Sequence, residues 1–90
     1  INYSIQLYKN KHFKQAFYYF SIIFKNNHPI AQYFVALMKF YGQGCQKNIE
    51  ESFLIMKDLS LKGVERAKEF IENKISITIY ILLYFSIMNS

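Results

Sequence analysis

Ninety residues make at most one small domain, about 74 of them reading as packed helices and the rest as a tail of a different kind. The net charge of +5 is unevenly placed. Residues 1–30 carry Lys9, Lys11, Lys14 and Lys25 with no acid, residues 31–74 carry seven basic and six acidic side chains, and the tail carries none. So modest an excess is the solvated helix face of a Lys-rich protein before it is a nucleic-acid or membrane footprint. The single cysteine, Cys45, excludes an intrachain disulfide and with it a stapled secreted scaffold, and it suits a reducing, cytoplasmic setting.

Residues 2–9 read as the end of a helix, and Asn10-Lys11-His12 as the turn that follows. Residues 13–26 form a second helix with Phe13, Ala16, Phe17, Phe20, Ile23 and Phe24 along one stripe, closed by Asn26 and Asn27 as left-handed residues. Pro29 then sits in the first turn of a third helix, whose cap is Asn27 or His28. From 30 to 41 that helix is apolar nearly all the way round, through Ala31, Tyr33, Phe34, Val35, Ala36, Leu37, Met38 and Phe40. A helix with no polar face has to be covered on more than one side.

Gly42-Gln43-Gly44 ends the third helix, two glycines two apart giving the positive φ values that reverse the chain. Asn48 is the N-cap of the fourth, with Glu51 completing a capping box and Glu50 favourable at the positive end of the dipole. The fourth helix runs to Lys62 and buries Ser52, Phe53, Ile55, Met56, Leu59 and Ser60, and Gly63 stops it. A fifth begins near Glu65 and runs through Ala67, Phe70 and Ile71 to Asn73.

These elements repeat with a register of 36 residues. Residues 12–35 fall on 48–71, pairing Phe13 with Ile49, Ala16 with Ser52, Phe17 with Phe53, Phe20 with Met56, Asn27 with Gly63, Ala31 with Ala67 and Phe34 with Phe70. Matches at helical spacing that end on a turn residue are how a stacked helix-pair array reads in sequence. The register predicts an all-α, right-handed helix–turn–helix array. Its segments are a partial helix pair over 1–27, one full repeat over 28–63, the first helix of a further repeat over 64–74 and an apolar tail over 75–90. Such arrays generally need about three repeats. With one whole repeat, and Ile1 rather than methionine at its start, the chain reads as a fragment of a longer array or as a marginal domain that self-associates through its open ends.

Residues 31–67 resemble one Sel-1-like repeat, a longer relative of the tetratricopeptide repeat. Ala31, Tyr33, Gly42, Gly44, Gly63 and Ala67 match its pattern in place, and Asn48 stands conservatively for its Asp. Val35, Ala36, Cys45 and Ser52 are further conservative replacements, whereas Lys39, Ile55 and Leu59-Ser60 depart from the Tyr, the Trp and the Ala pair of the pattern. Residues 3–27 are similar to the shorter tetratricopeptide form, and the resemblance stops before the tail. It implies a non-enzymatic adaptor that binds a peptide or protein in a concave groove, lined here by Tyr33, Leu37 and Phe40 at i, i+4 and i+7. Packing of the same three residues against a neighbouring repeat stays equally open. The alternative it implies is a membrane-tethered adaptor of the endoplasmic-reticulum-associated degradation type.

No catalytic or cofactor constellation is present in the sequence. His12, His28 and Cys45 lack metal-ligand spacing. Gly42-Gln43-Gly44 is too short for a phosphate loop and has no strand before it. Eight Tyr and nine Phe could stack on bases, but most fall on helix core stripes, so nucleic-acid binding is disfavoured.

Ile75 to Met88 has no charge, Gly or Pro. It is rich in β-branched residues and at first alternates Ile with Ser, Thr and Tyr, a strand-like period. As a helix of about 21 Å it falls short of the roughly 30 Å hydrocarbon core. A capping helix, a membrane anchor and a non-native end all stay open. Lys62, Arg66, Lys68 and Lys74 would place the repeats on the cytoplasmic side of a membrane, whereas the Asn2-Tyr3-Ser4 glycosylation triplet would need the opposite side.

Overall fold

The computed structural model describes residues 1–89. Five α-helices follow in chain order: α1 Asn2–Lys9, α2 Phe13–Phe24, α3 Pro29–Tyr41, α4 Ile49–Leu61 and α5 Glu65–Met88, with no strand among the described residues. Each helix packs chiefly on its neighbours in sequence. The molecule is accordingly elongated, 51 × 27 × 18 Å.

The turns follow from local chemistry. Gly42 closes α3 in the left-handed region at φ 71°, and the backbone N–H of Gln43 donates to the Met38 carbonyl at 2.9 Å. Gly44 is left-handed as well, and it lies so close to the start of α2 that a Cβ there would sit 2.2 Å from the Phe13 carbonyl oxygen. Asn27 (φ 58°) and Gly63 (φ 89°), 36 residues apart, both reverse the chain from the left-handed region. Lys11 does the same after α1 at φ 63°, a position with no turn residue to announce it. His28 and Val64, also 36 apart, are the extended N-caps of α3 and α5.

Asn48 caps α4 as expected, but the reciprocal half of the capping box is replaced. The Asn48 backbone N–H donates to the Lys39 carbonyl at 2.8 Å, and the Glu51 carboxylate takes the Asn48 side-chain amide instead. Asn48 Oδ1 accepts from the Glu51 backbone N–H at 3.0 Å, and Asn48 Nδ2 donates to Glu51 Oε2 at 3.1 Å. Lys39, which departs from the repeat pattern, is accounted for by the same carboxylate, whose Oε1 it meets at 2.7 Å.

α3 is the centre of the molecule. Its Ala31, Val35 and Met38 join Leu7, Ala16 and Phe20 in one buried cluster, where Phe20 and Phe34 stack with ring centroids 4.6 Å apart. Its Ala36 joins Met56, Leu59, Ala67 and Phe70 in a second cluster, with Tyr33, Leu37 and Phe40 packed against it. An all-round apolar helix is thus covered on two sides. The 36-residue pairs bury alike: Ala16 with Ser52, Phe20 with Met56 and Ala31 with Ala67 are all completely buried.

α5 corrects the sequence reading. It does not stop at Asn73 but continues as one 24-residue helix to Met88, so the boundary placed between 74 and 75 falls inside a continuous element. The strand-like alternation yields because no Gly, Pro or cap interrupts residues 65–88, and a helix already nucleated extends at one hydrogen bond per residue. Ser90, the last residue of the tail, lies outside the described residues.

Candidate functional site

A groove of about 540 Å³ runs between α3 and α5. Tyr33, Leu37 and Tyr41 line it from α3, while Arg66, Glu69, Phe70, Asn73 and Lys74 line it from α5. The α3 residues come at i, i+4 and i+8, one above the other on a single face. Glu69 and Asn73 stand 36 residues after Tyr33 and Leu37.

Two of the three residues expected to line a groove, Tyr33 and Leu37, are there. Phe40 points elsewhere. It packs edge-on against Phe53 (5.8 Å) and Phe70 (5.1 Å), with its ring under the Lys74 ammonium at 5.1 Å. Of the two alternatives left open by the sequence, Phe40 takes the packing role. Tyr41 takes its place on the groove wall, about half exposed, with its hydroxyl 3.1 Å from Lys74 Nζ. Sequence reasoning passed over Tyr41 because it abuts Gly42 at the end of the helix, although the i, i+4 step from Leu37 points to it.

Lys74 closes one end of the groove. Its ammonium lies 5.1–5.4 Å from the ring centroids of Phe40, Tyr41 and Phe70, a cation over three aromatic rings. Arg66 and Lys74 against the single acid Glu69 leave the groove with one net positive charge. Its wall therefore combines apolar and phenolic surface with two cations, one carboxylate and an amide, which suits a polypeptide segment better than a small apolar ligand.

The structural-motif residues do other work. Ala31 and Ala67 are fully buried where helices cross, Gly42, Gly44 and Gly63 make the turns, and Asn48 caps α4. Cys45 is half-buried against the first cluster, and burial raises its thiol pKa above the usual range. His28 Nδ1 is buried with no hydrogen-bond partner among the described residues. No group of three or more His, Cys, Asp or Glu side chains that could hold a metal ion occurs among the described residues. The Asn2-Tyr3-Ser4 triplet lies in α1 with Ser4 buried, which withdraws the hydroxyl that a glycosylation acceptor presents.

Comparison of the chain with protein-family models, with curated proteins and with solved structures finds no match in any of the three.

Proposed function

We propose that this chain is a non-enzymatic interaction scaffold, a partial right-handed array of helix–turn–helix units of Sel-1-like type. It takes a peptide or protein segment into the groove between α3 and α5. The observation that carries this reading is the alignment of Tyr33, Leu37 and Tyr41 on α3 opposite Arg66 and Asn73 on α5, with Tyr41 and Lys74 joined at one end of the groove. The array reading draws support from the shared burial, turn conformation and caps of residues 36 apart. Stacked helix pairs leave an extended surface of this kind along equivalent helices, and partners bind there.

Selection of displayed peptides on the full chain, followed by titration of the selected peptide against variants, tests the proposal. Leu37→Glu and Tyr41→Ala are expected to weaken binding at least about tenfold, roughly one lost anchor contact. Tyr41→Ala retains the melting temperature, whereas Leu37→Glu lowers it because Leu37 also packs on the second cluster. Phe40→Glu is expected to collapse the fold instead, since it places a charge among Phe53 and Phe70. Selected peptides that bind Leu37→Glu and Tyr41→Ala as well as the parent would refute the groove.

A further inference from the structure

The length of α5 does not match the stack it belongs to. In the 36-residue register Glu65 answers Pro29 and Ile77 answers Tyr41, so Thr78 stands where α3 turns at Gly42. α5 makes no turn there. Thr78 Oγ1 donates to the Lys74 carbonyl at 2.9 Å, within the helix, and the helix continues to Met88. Residues 78–88 therefore overrun the register by about 16 Å.

Every described side chain from Ile75 onward is exposed. Leu82, Leu83, Tyr84 and Phe85 are consecutive and each more than half exposed. Four residues at about 100° each complete a turn, so the overhang is apolar on all sides. A helix of that kind is covered by protein on several faces or by lipid. A further helix stacked on α5 as α4 is on α3 would meet one face of the overhang. One such helix therefore does not cover it on all sides.

A bilayer does. Ile75–Met88 carries no charged residue and measures about 21 Å, enough to pass the midplane of a hydrocarbon core about 30 Å thick. Glu65–Met88 is by length and composition a helix that could cross a membrane, and its apolar stretch is almost entirely unburied, unlike the core helix of a globular domain. Lys74 is the last charge before the run, and Tyr41, Phe40 and Phe70 hold its ammonium on the folded part. The boundary between charged stack and charge-free overhang is thus sharp.

We infer that Ile75–Met88 inserts into a phospholipid bilayer, with Lys74 at headgroup level and the α3/α5 groove held just outside the membrane. The chain contains no tryptophan, so Tyr84→Trp puts a single reporter in the overhang and Tyr18→Trp one on the exposed side of α2. Mixed with phosphatidylcholine vesicles and floated on a density gradient, both full-length variants rise with the lipid. Only the reporter at position 84 shifts to the blue and is quenched by brominated acyl chains. Ile81→Lys lowers partitioning at least about tenfold, less than a lysine at the centre of a spanning helix would, because position 81 lies only about 9 Å beyond Ile75. It leaves the melting temperature unchanged, because Ile81 is exposed and belongs to neither buried cluster. Protein that stays at the bottom of the gradient overturns the inference, as does Ile81→Lys floating like the parent. A blue shift at position 84 that needs no vesicles and grows with protein concentration also overturns it, showing a second copy as the cover.

Discussion

Ser52 donates its hydroxyl to the backbone carbonyl of Ala36 at 2.7 Å, and neither residue has any exposed surface. The bond pins α4 to α3 inside the core. The position 36 residues earlier, Ala16, is equally buried with no hydroxyl, so the packing tolerates a methyl group there. Ser52→Ala is therefore expected to cost only about 1 kcal/mol, a neutral hydrogen bond lost without an orphaned donor. Ser52→Val overfills the site and should cost about 1–3 kcal/mol. Urea denaturation followed by circular dichroism would read both.

Gly44 and Gly63 are left-handed for different reasons, and substitution separates them. A Cβ at Gly63 meets nothing within 4 Å, so Gly63→Ala carries only the backbone penalty, about 1–2 kcal/mol. Gly63→Val adds a β-branched side chain in the same region and should cost more than about 1 kcal/mol. A Cβ at Gly44 would collide with the Phe13 carbonyl oxygen and force α2 away from the loop, so Gly44→Ala should destabilise more than Gly63→Ala. Equal denaturation midpoints for the two alanine variants would contradict the close approach.

Asn48 caps α4 through both its carbonyl and its amide, each to Glu51. Asn48→Ala is expected to cost about 1 kcal/mol, and Asn48→Asp to recover only part of that, because the aspartate keeps the acceptor but sets a second carboxylate against Glu51 Oε2. Thermal melts of the two variants compare them directly.

Cys45 provides a pH-dependent readout. Burial pushes its thiol up, nearby Lys39 partly offsets this and Glu51 adds to the rise. The folded thiol holds its proton more tightly than the unfolded one. Its contribution to stability is thus fully present below the ordinary thiol range and is lost as pH rises through the folded value. Iodoacetamide is expected to alkylate Cys45 more slowly in the native chain than in urea at mildly alkaline pH, since the thiolate is the nucleophile. Equal rates would show an unperturbed thiol.

Turns and core positions were legible in the sequence because single residues dictate them. Gly42, Gly63, Asn48 and Pro29 each act through their own backbone, and the pairs Ala16/Ser52 and Ala31/Ala67 mark where helices must come close. The path of residues 75–88 was not legible, since β-branched alternation reads as strand unless the preceding helix is known to continue. Tyr41 escaped notice for a related reason. Its role depends on Lys74, 33 residues away, and only the packing of α5 brings the two together. Phe40 was expected in the groove from the family resemblance, which does not say which side of this doubly covered helix faces the open groove.

Packing chiefly between consecutive helices also shapes how the chain opens. α1 leans on α2, with Tyr8 reaching Phe34, while α3 contributes to both buried clusters. Contacts so close in sequence need little loop closure, which favours folding on the microsecond-to-millisecond scale of helical domains. Local opening is graded in the same way. The ends are expected to fray at little cost to the middle, and amide protons to exchange slowest in α3, which contributes to both buried clusters.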